Sequence, residues 1–275
     1  MIDEPLIPPR PTSDRITVLA IAALVYTLAK LTHEGLGHGV ACLAVGGTLR
    51  GVSSSWCDCD VGGVGAWAGR AVNAAGTLAN LGLAAVILGV QRFWPPKSGS
   101  AAYFVWLTFA VNALIGAGYL MVDPIFGFGD WTAFLAGLDG GLPLRLVFAG
   151  IGLALTMLAF RYAGRALVPF VGTTVAQAVP AARILCWFPW AAVGGVLLTG
   201  AAALNHYGPK YAFTSALATL GGTWMLVWIP STFGRVRPGP AEPTLLIERS
   251  SAFVAGGMAA TAFLLSFFGP GITSG

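Results

Sequence analysis

Long apolar segments separated by short polar ones constrain this 275-residue chain more than any other feature. Only 9% of its residues are charged and 56% are hydrophobic, whereas a soluble domain carries about 25% charged residues. This composition excludes a water-soluble globule and a disordered chain, and four cysteines are too few for a disulfide scaffold. It predicts an all-α, polytopic transmembrane helical bundle, because helices satisfy their own backbone hydrogen bonds in lipid.

Hydropathy along the chain predicts six or seven spans. The candidate spans are residues 16–45, 71–90, 101–122, 146–160, 184–204, 211–230 and 251–269. A segment rich in Gly, Ser and Cys, residues 46–70, follows the first span and predicts a short hairpin or a re-entrant loop. The first span follows a polar segment without a small-residue cleavage site, so we expect a retained anchor.

The basic residues are scattered one or two per loop, so the formal net charge of +4 does not indicate a nucleic-acid partner. The expected partners are membrane lipids and a membrane-protein substrate or partner subunit. On the predicted spans, ten Lys and Arg residues share the side of the N-terminus and four lie on the other side. The positive-inside rule therefore predicts a cytoplasmic N-terminus and a C-terminus on the far side.

The first span contains the sequence Thr32-His33-Glu34-Gly35-Leu36-Gly37-His38, which holds two of the three histidines. An ionisable residue at the centre of a span costs about 2.5–3.5 kcal/mol, and an ion pair between Lys30 and Glu34 would offset part of it. Two imidazoles beside a carboxylate are typical of a zinc site. We expect His33 and His38 to bind Zn²⁺ and Glu34 to act as a general base.

The spacing of these histidines differs from the usual H-E-x-x-H. Five residues separate them here, or about 140° around a regular α-helix, whereas four residues give about 40°. A one-residue π-bulge absorbs the extra residue and returns both rings to one face. Gly35 and Gly37 favour such a distortion.

A zinc site needs a third protein ligand. Two aspartates after the third span are candidates, Asp130 in Gly127-Phe128-Gly129-Asp130-Trp131 and Asp139 in Leu138-Asp139-Gly140-Gly141. His206 is a more distant option, which we interpret as a loop histidine at the membrane interface.

These motifs resemble the site-2 protease family of intramembrane zinc metalloproteases, with H-E-x-x-x-H in place of H-E-x-x-H. The segment Ala75-Gly76-Thr77-Leu78-Ala79-Asn80-Leu81 is similar to the family's Gly- and Asn-bearing helix beside the active site. The residues around Asp139 resemble the common Leu-Asp-Gly motif. Asp130, close behind the third span and its Asn112, resembles the arrangement in divergent members, so Asp130 is preferred and Asp139 is the alternative.

The resemblance covers about the first half of the chain, and we expect the whole chain, residues 1–275, to form a single transmembrane domain. Within it, residues 1–15 form a polar N-terminal segment, residues 16–145 a site-2-protease-like metal-binding core, and residues 146–275 additional helices. The implied activity is zinc-dependent hydrolysis of peptide bonds in membrane-spanning substrates through a metal-activated water. The implied location is a bacterial-type inner (cytoplasmic) membrane.

Other polar residues in the spans have two interpretations each. Asn80 and Asn112 either orient a ligand or hold a substrate backbone, or they join helices, at about 0.6 kcal/mol per contact. Cys57-Asp58-Cys59-Asp60 does not match the C-x₂-C spacing of structural zinc sites and is interpreted as a polar loop with two thiols. Cys42 and Cys186 are predicted to be packed thiols.

Two alternatives to proteolysis remain open on the sequence. A non-proteolytic membrane subunit or scaffold that keeps the protease-like fold is favoured by the altered histidine spacing, whereas the retained Glu34 favours the enzyme. A redox or transport protein would use histidines to hold haem or a transition metal, but no haem-attachment motif supports it.

Overall fold

The computed structural model describes residues 13–206, 208–235 and 238–273 of the chain. The helices within this part are α1 (Arg15–Lys30), α2 (Val40–Ala44), α3 (Ala66–Phe93), α4 (Gly99–Phe126), α5 (Gly129–Leu135), α6 (Gly141–Ala166), α7 (Val168–Val171), α8 (Val175–Phe188), α9 (Leu198–Ala203), α10 (Pro209–Thr223), α11 (Met225–Trp228) and α12 (Ser251–Phe263). Three π-helical stretches, Leu31–Gly39, Pro189–Leu197 and Leu264–Phe268, and the 3₁₀ turn Ile229–Phe233 extend them. The strands are β1 (Thr48–Val52), β2 (Cys57–Asp60) and β3 (Ile272–Thr273).

Within the described ranges, six helical rods are long and apolar enough to cross a membrane, which confirms the predicted all-α polytopic bundle. They are Arg15–Ala44, Ala66–Phe93, Gly99–Phe126, Gly141–Val171, Val175–Ala203 and Ser251–Phe268. The predicted span over residues 211–230 is instead divided among α10, α11 and the 3₁₀ turn. Each of these pieces is shorter than the roughly 20 residues that span a bilayer.

The divided segment nevertheless runs from one end of the bundle to the other. Asn205, between α9 and α10, donates a hydrogen bond from its side chain to Ser55 of the hairpin that follows α2. Past the 3₁₀ turn, Leu245 donates its backbone N–H to the carbonyl of Pro169 in α7, at 2.9 Å. The hairpin and α7 lie at opposite ends of the bundle, so the segment between them is a return pass.

The two ends of the described chain lie at opposite ends of the bundle. Asp14, which caps α1, donates its backbone N–H to the carbonyl of Ile247, just before α12, at 2.7 Å. After α12, strand β3 pairs with β1 of the hairpin, at the far end of the first rod. The described part of the chain therefore makes seven passes through the bundle, six of them through long helices and one through the segment from α10 to the 3₁₀ turn.

Helix α4 lies at the centre of the bundle, with 89% of its apolar window buried. It packs against α1, α3, α6 and α10. A Cβ atom on Gly118 would overlap Gly222 of α10, so this close approach requires glycine. The rods Gly141–Val171 and Ser251–Phe268 are only 22% buried and present their remaining apolar side chains outward, as lipid-facing helices do.

The segment after the first rod forms the predicted hairpin, in which β1 pairs antiparallel with β2 and with β3. A disulfide joins Cys42 of α2 to Cys59 of β2, with 5.9 Å between their Cα atoms. The prediction of Cys42 as a packed thiol and of Cys59 as a loop thiol was therefore wrong. Sequence spacing does not show that the hairpin folds back onto α2. Cys57 and Cys186 are free cysteines, and Cys186 is buried as predicted.

Candidate metal centre

The first rod changes from α-helix to π-helix over Leu31–Gly39, the segment that carries the histidine motif. This confirms the predicted distortion. The extra residue is absorbed in the wider turn, and the rings of His33 and His38 lie edge to face with centroids 4.8 Å apart. A Cβ atom on Gly37 would lie 2.5 Å from the Cα of Gly76, so glycine is needed for the π-helix to approach α3.

Both imidazoles and one carboxylate converge on one point. Oδ2 of Asp130 lies 3.0 Å from Nε2 of His33 and 3.2 Å from Nε2 of His38. One ligand atom from each of the three residues falls within 4.8 Å of the others. The structure therefore brings together His33, His38 and Asp130.

The other two candidate ligands lie elsewhere. Asp139 is exposed in the turn before α6. His206 contacts the backbone carbonyl of Pro270. Among the described residues, neither belongs to the cluster of His33, His38 and Asp130.

The hydrogen positions on the two rings leave lone pairs facing the carboxylate. Nδ1 of His38 lies 2.7 Å from the carbonyl oxygen of Val72, which can only accept, so Nδ1 carries the hydrogen. Nδ1 of His33 lies 2.7 Å from Oδ1 of Asn80 and donates to it in the same way. A neutral imidazole with hydrogen on Nδ1 has a bare lone pair on Nε2. Two lone pairs and a carboxylate oxygen in contact require protons or a cation between them.

The loop before α5 positions Asp130. Gly127 and Gly129 adopt φ values of 73° and 76°, which only glycine reaches at little cost, and they turn the chain back toward α3. Next to Asp130, the indole N–H of Trp131 donates to Thr77 of α3 at 2.9 Å. Asp130 is thus held in place by the helix that also carries Asn80.

Two further side chains hold α5 in place. Arg70, near the start of α3, donates to the backbone carbonyls of Phe134 and Ala136 at 3.1 and 2.9 Å. The buried carboxylate of Asp123 accepts the backbone N–H of Trp131 at 3.4 Å. Both ends of this short helix are therefore anchored.

Burial alone would raise the pKa of Asp130. When protons lie between the three groups, the charged ring of His38 and hydrogen bonds from both rings outweigh burial and lower this pKa below its usual range. An ionised carboxylate is the form that binds a metal ion.

Asn80 both orients His33 and joins helices. Its Nδ2 donates to the carbonyl of Ala29 in α1 at 3.1 Å and to Oδ1 of Asn112 in α4 at 2.7 Å, which leaves its Oδ1 to accept from His33. Asn112 in turn donates to the carbonyl of Thr108 at 2.9 Å. Both amides are fully buried. The hydrogen bonds of both amides are therefore formed within the bundle. Asn80 contacts His33 and joins helices at the same time, and Asn112 joins α4 to α3.

Glu34 lies beside the cluster in an ion pair with Lys30. Its Oε1 is 3.1 Å from Nζ of Lys30, and both side chains are buried. This confirms the predicted pair, formed one turn apart on the same helix. The pair neutralises a buried carboxylate that would otherwise be costly.

A small cavity of about 90 Å³ opens beside the cluster. Its walls are formed by the π-helix Leu31–Gly39, by α3, α4 and α10, by the chain at the start of α5, and by the hairpin. The residues that line it are His33, Glu34, His38, Ser55, Trp56, Cys57, Val72, Asn73, Tyr119, Phe128, Gly129, Asp130 and Thr214. Burial, followed by the carboxylates of Glu34, Asp58 and Asp130, raises the pKa of the Cys57 thiol to about 12. Cys57 is therefore a neutral thiol in the wall of the cavity.

Comparison with known proteins adds no assignment: no protein-family model, curated protein or solved structure matches the chain.

Sequence reasoning missed several groups around the cluster. The contact of His38 with Val72 could not be predicted, because it involves a backbone carbonyl that every residue carries. Asn73 and Tyr119 were not singled out, although Asn73 lies three residues before Gly76 and seven before Asn80, on the same face of α3.

Proposed function

We propose that the protein is an intramembrane zinc metalloendopeptidase that hydrolyses peptide bonds of membrane-spanning substrates. The observation that carries this proposal is the contact of two imidazole lone pairs with a carboxylate. A single cation between them removes the repulsion of all three groups at once.

The donor set fits zinc. Two imidazoles and one carboxylate are ligands that Zn²⁺ accepts, and catalytic zinc sites use three protein ligands and leave a fourth position for water. The cavity beside the cluster supplies space for that water. Backbone and amide oxygens hold both Nδ1 atoms, as is usual for metal-binding histidines. When bound, zinc would lower the pKa of water and polarise a carbonyl group.

Glu34 is the proton carrier of the proposed reaction. It lines the cavity with the three ligands and takes a proton from the attacking water, whose oxygen forms a bond to the carbonyl carbon. The electron pair of the C=O π bond moves to the carbonyl oxygen. When that pair returns, the C–N bond breaks and the leaving nitrogen takes the proton from Glu34.

We place the protein in a bacterial-type inner membrane, as a multi-pass protein with a cytoplasmic N-terminus. The excess of basic residues at the end of the bundle that holds Asp14 supports this orientation. The disulfide between Cys42 and Cys59 lies at the opposite end, which would then be outside the reducing cytoplasm.

A non-proteolytic membrane subunit is the second candidate. The ion pair between Lys30 and Glu34 favours it, because a carboxylate engaged by a lysine has a structural role that needs no catalysis.

The metal is tested by elemental analysis of the detergent-purified protein beside the double variant His33→Ala/His38→Ala. We expect about one zinc per chain in the parent and none in the variant. Parent protein that stays free of zinc after zinc is offered contradicts the metal site. Asp139→Ala serves as the matched control for Asp130→Ala, and only the latter should lose zinc.

The activity is tested with a quenched fluorescent transmembrane peptide that has a Gly-Pro pair at its centre, because a helix must unwind before its carbonyl carbon can be attacked. Glu34→Gln should keep zinc and lose cleavage. Equal cleavage by Glu34→Gln and the parent contradicts the general-base role, and a zinc-loaded parent that leaves this peptide intact favours the second candidate.

A further inference from the structure

We propose that Tyr119 and Asn73 donate hydrogen bonds to the carbonyl oxygen of the peptide bond under attack. This inference rests on the proposed function and assigns two further catalytic residues to the same site. Both line the cavity beside the metal cluster, and they come from two different helices.

Tyr119 belongs to α4 and packs against the metal cluster itself. The centroid of its ring is 4.6 Å from that of His33, and the side chain is 5% exposed. Within the described part of the chain, no hydrogen bond of its hydroxyl is found, although the ammonium group of Lys30 interacts with it electrostatically. The hydroxyl of Tyr162 of α6, whose ring contacts Phe109 of α4, donates to Gln91 at 2.7 Å. A buried phenol beside a cavity is expected to have a partner, and a bound substrate oxygen would supply it.

Asn73 belongs to α3 and lies one turn before Gly76. An added Cβ on Gly76 would be 2.8 Å from Nε2 of His33, so this face of α3 is directed at the cluster. Asn73 is half-buried and lines the cavity. Its amide has no hydrogen-bond partner among the described residues, whereas the amides of Asn80 and Asn112 are bonded in the bundle. Its donors are therefore available to a ligand in the cavity.

The reaction creates negative charge where such donors are useful. As the water oxygen bonds to the carbonyl carbon, the π electron pair moves onto the carbonyl oxygen, which becomes an oxyanion. Donors fixed in advance stabilise this charge more than they stabilise the neutral carbonyl. Removal of one such donor lowers kcat about 100- to 1000-fold.

The test measures kcat, KM and zinc content of Tyr119→Phe, Asn73→Leu and Asn73→Gln on the same transmembrane peptide. Tyr119→Phe deletes only the hydroxyl, and Tyr162→Phe is its matched control because that hydroxyl faces Gln91. Asn73→Leu keeps the size of the side chain and removes the donors, whereas Asn73→Gln retains an amide.

We expect Tyr119→Phe and Asn73→Leu to keep one zinc per chain and lose about 100-fold or more in kcat. KM should change little, Asn73→Gln should recover part of the rate, and Tyr162→Phe should resemble the parent. A parent-like kcat in both Tyr119→Phe and Asn73→Leu overturns the inference. A fall in kcat that is proportional to the fall in zinc content also overturns it. A zinc-loaded parent that leaves the peptide intact contradicts the proposed function instead, whatever these variants show.

Discussion

Gly76 leaves the space that the metal centre occupies. A Cβ atom at this position would lie 2.5 Å from Nε2 of His38 and 2.8 Å from Nε2 of His33. Such distances are far inside van der Waals contact, so one ring must move away. We predict that Gly76→Ala folds but loses zinc, as measured by elemental analysis of the purified protein.

Gly82, two turns later on the same helix, is the matched control. Nothing lies within 4 Å of a Cβ atom added there. Gly82→Ala should keep its zinc and be slightly more stable, because alanine favours helix more than glycine does. Zinc-loaded Gly76→Ala would show that the cluster lies elsewhere.

Asn80 holds the ring of His33 through Nδ1. Asn80→Ala removes the acceptor of the Nδ1 hydrogen, and loss of such a partner weakens metal binding about 10- to 100-fold. Asn80→Asp keeps an oxygen for His33 but loses the donors to Ala29 and Asn112. In competition with a fluorescent chelator, we expect weak zinc binding only from Asn80→Ala. Equal zinc affinities would mean that Asn80 only joins helices.

At the residue scale, the sequence alone identified candidate residues that carry their own chemistry. Histidines and a glutamate are rare in spans because of their cost, so the motif around Glu34 was recognisable. Asp130 and Asp139 were equal in residue type, and only the chain path through Gly127 and Gly129 distinguishes them. That path depends on contacts of α5 with α3 and α4.

At the scale of elements, the π-helix Leu31–Gly39 acts as a one-residue insertion in the first rod. Deletion of Gly35 should therefore restore a regular α-helix with the histidines four residues apart. A Cβ at Gly35 would meet nothing within 4 Å, so the residue makes few contacts that its loss would remove. We predict that this deletion variant still binds one zinc per chain.

A deletion in the regular part of the same rod is the control. Loss of Leu24 turns the following segment by about 100° relative to the residues before it. This variant should lose zinc. If the Gly35 deletion folds yet binds no zinc, the π-helix does more than absorb an extra residue.

The disulfide between Cys42 and Cys59 tethers the hairpin that forms one wall of the cavity. Its loop of 17 residues corresponds to about 3 kcal/mol of stabilisation. The variant Cys42→Ser/Cys59→Ser should unfold at a lower temperature and expose the hairpin to protease. Cys186→Ser, which alters a free thiol, is the control.

Mass spectrometry without reduction tests the pairing directly. We expect a cross-link between the peptides of Cys42 and Cys59, with Cys57 and Cys186 recovered as thiols after denaturation. A cross-link that contains Cys57 contradicts the pairing.

At the scale of the whole molecule, seven passes through the bundle place the two ends of the described chain at its opposite ends, and we predict that these ends lie on opposite sides of a membrane. Reporter fusions at the N-terminus and the C-terminus should therefore give opposite signals, with the N-terminus cytoplasmic. Signals from the same side would mean that the divided segment, α10 to the 3₁₀ turn, does not cross. Opposite signals with the C-terminus in the cytoplasm would contradict only the predicted orientation.

The sequence by itself determined the properties that depend on solvent and local geometry. Apolar length gives the helical membrane bundle, because lipid leaves the backbone no other partner. The five-residue spacing of His33 and His38 gives the π-helix, since only a wider turn brings both rings to one face. The Lys30–Glu34 ion pair is likewise local, because residues four apart in sequence are neighbours on the surface of a helix.

Only the tertiary structure decided which distant groups meet. It selects Asp130 over Asp139, pairs Cys42 with Cys59, and brings Asn73 and Tyr119 to the cavity. These contacts join helices that are far apart in the chain, and helix packing in lipid depends on close shape complementarity at small residues such as Gly37 and Gly76. Such complementarity has no periodic signature in a single sequence, so it is visible only when the helices are assembled.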